Sequence, residues 1–168
     1  MLTRLKNFFA ARQCPGYLVG GYLRDCLLSL PPQRDVDIAL SADSQIIGRD
    51  MALALGGSFV PLSPAQGKAR VIVPDSEDGP WTVDLSSFPG TIEEDLARRD
   101  FTINSMALPL SDWASPLPGE LVIDPFQGRP DLSRKCIRAV GANVFREDPV
   151  RLLRAVRLAA GLGFRLEP

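Results

Sequence analysis

YLVGGYLRDCLLSLPPQRDVDIAL, residues 17–40, is the stretch that decides how this chain is read. Its opening apolar run predicts a short strand, Gly20-Gly21 a turn, the following residues a helix with Arg24 one turn along, and PPQR a loop. A second strand follows, in which Asp35 and Asp37 alternate with Val36 and Ile38. Side chains on a strand point to opposite faces in turn, so the two carboxylates share one face. Like charges so placed repel each other unless a cation sits between them. Backbone N–H groups at a helix start, with an arginine nearby, form a seat for phosphate. A phosphate seat beside a divalent-metal site points to nucleotide chemistry.

Around this stretch the chain alternates short strands and helices. Residues 3–13 predict a helix with Leu5, Phe8 and Phe9 on its apolar side. Residues 41–55 predict another, capped by Ser41 or Asp43 and ended by Gly56-Gly57. A short strand at 58–61 precedes a hairpin, ARVIV (69–73) and WTVDL (81–85), joined by the polar loop 74–80. Asp84 sits inside the second hairpin strand, where an acid is locally unfavourable. A short helix is expected at 91–96, a helix or strand at 101–110, and a short strand at 121–124. The clearest helix spans 148–162, with Pro149 in its first turn. The pattern is that of an α+β (mixed α/β) fold, with a small mixed sheet of about five strands flanked by helices.

The composition narrows the function. The 168 residues suffice for one domain with a real core, and 45% hydrophobic with 23% charged is ordinary for a globular protein. No apolar run approaches the ~20 residues that cross a bilayer. The N-terminus reads as an amphipathic helix and not as a signal peptide. Cys14, Cys26 and Cys136 are not spaced as ligand pairs and read as reduced thiols of a cytoplasmic protein. The chain has no histidine, which excludes imidazole catalysis and most zinc sites. Net charge is only -1, yet residues 1–97 carry 8 basic and 12 acidic side chains and residues 98–168 carry 11 and 8. Sixteen of the 19 basic residues are arginine, the better partner for phosphates and bases, although coding bias accounts for this equally well.

Four groups of residues are candidates for chemistry. Asp35, Asp37 and Asp84, if they converge, can hold two Mg²⁺ ions roughly 3.5–4 Å apart, a mechanism that needs no histidine. Gly20, Gly21 and Arg24 form the phosphate seat. In RRDFTIN (98–104), the two arginines Arg98 and Arg99, beside Asp100 and Asn104, suit a triphosphate or a ribose 2′-hydroxyl. Asp148, Arg151, Arg154 and Arg157 recur every three residues along the last helix, away from Leu152, Leu153 and Val156. Each has a plainer reading in isolation: a solvated loop edge paired with Arg34, a tight turn, a surface charge cluster, and a solvated arginine stripe.

The motifs VGGYLRD and RDVDIAL, RRDFTINSMAL (98–108), DPFQGRPDL (124–132) and EDPVRLLRAVRLAAGLGF (147–164), taken in this order, resemble the head of the class II CCA-adding enzymes and bacterial poly(A) polymerases. These belong to the DNA polymerase β-like nucleotidyltransferase superfamily. The resemblance implies a head domain over residues 1–140 and the start of a helical neck over 141–168, with body and tail segments further on. It implies transfer of CMP or AMP from CTP or ATP to the 3′ end of tRNA or another RNA, releasing pyrophosphate. Asp35, Asp37 and Asp84 would be the catalytic metal ligands. Gly20, Gly21, Arg24 and Arg99 would hold the nucleotide, and Asp100 and Asn104 would recognise its ribose. Asp148 and Arg151 would read the base edge, carboxylate acceptor and guanidinium donor serving either C or A, with Arg154 and Arg157 assisting. No membrane and no protein partner are implied.

Two departures stand out. The strand holding Asp84 is followed by LSSFPGTIEEDLARRD, with Pro89 where the family has Arg, and by a very short connection in place of a long flexible loop. This favours a CC-adding enzyme or another compact-loop subgroup. The chain also stops just past the base-reading helix, as an isolated head would. CCA-adding, CC-adding, A-adding and poly(A)-adding activities all remain open, as do a non-catalytic nucleotide- or RNA-binding module and a nucleotidyltransferase acting on a small molecule or protein.

Overall fold

The computed structural model describes residues 1–31, 33–75 and 79–167, so Pro32 and the middle of the 74–80 loop lie outside the described residues. In chain order the elements are α1 (Leu2–Arg12), β1 (Gly16–Val19), α2 (Gly20–Leu27), β2 (Asp35–Leu40), α3 (Ser44–Leu55), β3 (Ser58–Ser63), β4 (Lys68–Val73), β5 (Trp81–Ser87), α4 (Ile92–Ala97), β6 (Ala107–Pro109), α5 (Gly128–Ser133), β7 (Cys136–Ile137), α6 (Val144–Glu147), α7 (Val150–Leu162) and β8 (Arg165–Leu166). The main sheet has six strands, in the order β3-β4-β5-β2-β1-β6. Its central pair, β2 and β5, is parallel and its other pairs are antiparallel. β7 and β8 form a separate parallel pair.

Strand alternation divides the sheet into two faces. Leu18, Val36, Ile38, Leu40, Val71, Val83 and Leu85 are buried on the back face with Leu5, Phe8, Phe9 and Met51 from the helices. Burial of this size supplies the main drive to fold, at about 25 cal/mol per Å² of apolar surface. On the front face Val19, Ala39 and Ala107 pack with Phe88, Ile92 and Leu96 in a smaller cluster. That cluster covers only part of the front face. Asp37 lies on the part it leaves open, because it pairs with Val19 across β1 and sits two residues before Ala39.

Local chemistry explains the element ends. The Asp43 carboxylate accepts the N–H groups of Gln45 and Ile46, and Gly56 ends α3 at φ 67°. Thr91 and Glu94 form a reciprocal capping box on α4. α7 begins at Val150 with Pro149 just ahead of it, and Asp148 Oδ1 accepts the Val150 N–H at 3.0 Å. The expected strand at 121–124 is instead a 3-10 turn (Gly119–Leu121) and a single bridge between Ile123 and Ala107. Helices α5 and α6 fall where no element was expected. No helix among the described residues is long and apolar enough to cross a membrane, and all three cysteines are free.

Candidate active site

One transverse row of the sheet organises the site. Val60, Arg70, Asp84, Asp37, Val19 and Ala107 pair in sequence across all six strands. The parallel register of β2 and β5 therefore sets Asp37 directly beside Asp84. Immediately after Val19 the chain turns at Gly20, whose φ is +71°. A Cβ there would stand 2.5 Å from Asp37 Oδ2, so only glycine allows this approach. The Gly21 N–H donates to the Asp37 carboxylate.

Above the row lies a cavity of about 500 Å³, lined among others by Gly20, Gly21, Asp37, Asp84, Arg99, Asp100, Asn104, Arg151 and Arg154. Nine of the thirteen residues expected at the site thus share one cavity. Asp35 is exposed at the edge of the same face and does not line it. Arg24 does not line it either. It is buried beneath, where Nε donates to Asp25 Oδ1 at 2.8 Å and Nη1 to Asn104 Oδ1 at 2.8 Å. Its direct partners are protein groups, and its bond to Oδ1 orients the Asn104 amide, whose N–H groups take no part in it. Asp148 serves its own helix as a cap, and Arg157 is exposed outside the cavity.

The electrostatics are uneven. The Asp37 carboxyl is held above the ordinary carboxylate range, chiefly by burial and further by Asp84 and Asp35, while Arg99 and the Gly21 N–H pull it back. Both oxygens of Asp84 are taken by Arg70, from Nε at 2.6 Å and Nη2 at 2.8 Å. Arg99 is anchored by Asp95, with Nη2 2.9 Å from Oδ2. Asp100 is buried. Its Oδ1 caps the Phe101 N–H, and its Oδ2 has an Arg154 guanidinium at 2.8 Å but no aligned hydrogen bond. α7 turns Arg151 and Arg154 toward the cavity and packs Ala155, Leu158 and Leu162 on the core, while Val150, Leu152, Leu153 and Val156 face solvent. The Arg151 side chain is 18% exposed and donates to the Arg98 carbonyl, whereas Leu153 is 73% exposed.

Several cavity residues were not anticipated, among them Lys68, Ser86 and Asp95. Asp95 was legible as the i−4 partner of Arg99 across the end of α4. Lys68 and Ser86 share the front face with Arg70 and Asp84 by strand alternation, and follow once the hairpin register is known. Hard carboxylate oxygens are the donor chemistry a divalent magnesium ion takes. Among the described residues, however, no three acids are gathered into a ready metal cage.

Residues 66–138 match the poly(A) polymerase head domain. The chain is 38% identical over 150 residues to the CC-adding tRNA nucleotidyltransferase of Geobacter sulfurreducens, covering 89% of this chain and 33% of that protein. It is 36% identical over 151 residues to the A-adding tRNA nucleotidyltransferase of Deinococcus radiodurans, covering 90% and 31%. It superposes on the Thermotoga maritima CCA-adding enzyme complexed with tRNA at a TM-score of 0.81, with 33% identity, over 99% of this chain and 38% of that one. The chain belongs to the CCA-adding enzyme and poly(A) polymerase head-domain family. This head domain spans about a third of the length of the curated relatives it matches. The expected class of fold is borne out, with six strands in the main sheet where about five were expected. DPFQGRPDL acts in the head domain as a buttress. Asp124 accepts the N–H groups of Gly128 and Arg129, and Asp131 accepts the Thr102 hydroxyl directly behind the cavity wall.

Proposed function

We propose that this chain is the catalytic head of a tRNA nucleotidyltransferase, which adds CMP and AMP from CTP and ATP to a tRNA 3′ end and releases pyrophosphate. The observation that carries the proposal is the single cavity in which Asp37 and Asp84 stand in register beside Gly20-Gly21, Arg99, Asp100 and Asn104. The relatives that add C, A or CCA to tRNA supply the substrate class.

In this reading Asp37 and Asp84, with Asp35 at the open edge of the same face, hold Mg²⁺. The half-buried Asp37 carboxyl, raised chiefly by burial and further by Asp84 and Asp35, is the acid a cation would relieve most. Bound magnesium supplies activation of the attacking 3′-hydroxyl and neutralisation of the leaving pyrophosphate. The Gly20-Gly21 backbone and Arg99 receive the phosphates, and Arg24 acts through Asn104. Asp100 Oδ2 and the Asn104 amide face the ribose hydroxyls. Arg151 and Asp148 read the base, and Arg154 and Arg157 meet base or phosphate. Residues 141–168 begin a helical neck. A cytoplasmic setting belongs to the same reading and is supported by the three free thiols.

The test is incorporation of labelled CTP and ATP, offered separately with Mg²⁺, onto tRNA lacking CCA and onto tRNA ending in CC. Addition of both C and A is expected of a CCA-adding enzyme. C alone makes it CC-adding and explains the compact loop after Asp84. A alone on tRNA ending in CC makes it A-adding. Runs of A on any RNA make it a poly(A) polymerase, the reading the matched domain favours second. Asp37→Ala abolishes incorporation with the fold intact; activity near that of the parent protein overturns the metal assignment, and no incorporation by the parent protein supports a binding module.

A further inference from the structure

The transverse row contains a cation that the proposed chemistry does not use. Arg70 stands opposite Asp84 on the antiparallel β4–β5 pair, on the flank away from Asp37. Its guanidinium meets both carboxylate oxygens in a fork, Nε to Oδ1 at 2.6 Å and Nη2 to Oδ2 at 2.8 Å. This planar two-point match is the strongest arrangement an arginine makes with a carboxylate. It also places a positive charge on the two oxygens a metal ion would use and engages one lone pair of each. Asp84 thus lies between two claims, Arg70 on one side and the cation-poor Asp37 on the other.

We infer that Arg70 is the resident counter-ion of Asp84, and that it competes with a divalent ion shared by Asp37 and Asp84, which binds more tightly as Arg70 lets go. The inference rests on the metal reading of the site given above. Three observations support it. First, among the described residues no three acids form a metal cage, although Asp37 and Asp84 are cross-strand neighbours. Second, the pair is exchangeable: the side chains of Arg70 and Asp84 are 39% and 34% exposed, so water can replace each partner. Third, Arg70, Asp84 and Asp37 stand side by side in one transverse row, so the guanidinium belongs to the acidic cluster. Arg70 does not line the cavity, so it is a positioning residue and not a catalytic one.

The arrangement links metal loading to nucleotide arrival. A free divalent ion must displace the guanidinium from Asp84 unaided. An ion carried by a nucleoside triphosphate arrives with phosphates that Arg98, Arg99 and Arg154 attract, and that added attraction offsets the loss of the Arg70 fork. Without nucleotide the site takes metal more weakly, and its carboxylate stays compensated by Arg70.

The experiment titrates Mn²⁺, followed by its paramagnetic resonance signal, into the parent protein, Arg70→Gln, Arg70→Lys and the double variant Arg70→Gln/Asp84→Asn, with and without CTP. Arg70→Gln is expected to bind Mn²⁺ alone about fivefold more tightly than the parent, the scale of one partly exposed ion pair. Arg70→Lys, which cannot hold both oxygens, falls between them and covers the case in which the glutamine variant does not fold. In the double variant the gain disappears. A purely structural Arg70 would lower the melting temperature and leave Mn²⁺ affinity unchanged. Equal affinity in the parent, glutamine and lysine proteins overturns this inference alone. Failure of every protein to take up Mn²⁺, even with CTP, overturns the metal reading and this inference with it.

Discussion

Replacing Asp131 by Ala tests whether the DPFQGRPDL segment holds up the cavity wall. Asp131 is 2% exposed, and its Oδ2 accepts the Thr102 hydroxyl at 2.7 Å and Arg138 Nε at 2.9 Å. Truncation leaves the buried Thr102 hydroxyl without its acceptor, which costs about 1–3 kcal/mol. It also removes the partner of Arg138, whose side chain is 30% exposed, so solvent limits that loss to about 1 kcal/mol. The sum is about 2–4 kcal/mol, or a fall of about 5–15 °C in melting temperature for a chain of this size. Urea denaturation followed by circular dichroism measures it. Thr102→Val removes only the hydroxyl, and the double variant should lose about 1 kcal/mol less than the two singles together, because they share one bond. A loss below about 1 kcal/mol for Asp131→Ala, or strict additivity of the pair, would refute the reasoning. Thr102 opens the 3-10 turn Thr102–Asn104 that presents Asn104, so Asp131→Ala should also weaken CTP binding without touching the cavity.

Further predictions follow from the same row of the sheet. Asp37 has a folded pKa above its unfolded value of 3.8, so its charged form opposes folding; that cost grows as pH rises above 3.8 and is absent below it. Asp37→Asn should therefore melt higher than the parent protein at neutral pH in EDTA, with the difference shrinking toward pH 4; an equal gain at both pH values would count against burial of the charge as its origin. Gly20→Ala should lose about 1–2 kcal/mol in urea denaturation, since its φ of +71° is left-handed and the new methyl meets Asp37; a neutral result would mean the turn relaxes freely. Arg151→Ala should narrow the preference between CTP and ATP in competition assays and leave Mn²⁺ affinity unchanged; unaltered selectivity would remove Arg151 from base reading.

The fold and the centre of the site were legible because both rest on local patterns. Alternation in RDVDIAL put Asp37 and Val36 on opposite faces before any pairing was known, and Asp43 and Gly56 marked the ends of α3 by cap chemistry alone. What escaped depends on contacts far apart in the chain. Arg24 reads as a phosphate ligand one turn into a helix; in the fold it lies under the cavity, bound to Asn104, 80 residues away. Asp148 is a local case: beside its reading as a base ligand, its carboxylate accepts the N–H of Val150, two residues on at the start of its own helix. Arg70 gave no local signal at all, because its meaning comes from the register of β4 against β5. Helix α5 was missed because Gly128 and Pro130 stand in its first turn, where they weaken the helical pattern; Gly128 is there because any side chain would strike the Thr102 carbonyl.

The charges around the cavity favour a nucleoside triphosphate over a bare metal ion. Lys68, Arg98, Arg99, Arg151 and Arg154 line it against Asp37, Asp84, Asp95 and Asp100. Three of those acids already have arginine partners: Arg70 for Asp84, Arg99 for Asp95 and Arg154 for Asp100. Among the described residues, Asp37 is the cavity acid left without an ion pair, and it is also the one whose carboxyl is pushed upward. The basic surplus therefore suits phosphates, while the unmet demand for a cation is confined to one carboxylate beside Gly20. A triphosphate bearing a divalent ion satisfies both at once. An ion alone must enter against the lining arginines, and a triphosphate alone must approach the uncompensated charge of Asp37. Each component thus lowers the barrier to the other, which is the physical basis for expecting metal and nucleotide to load together.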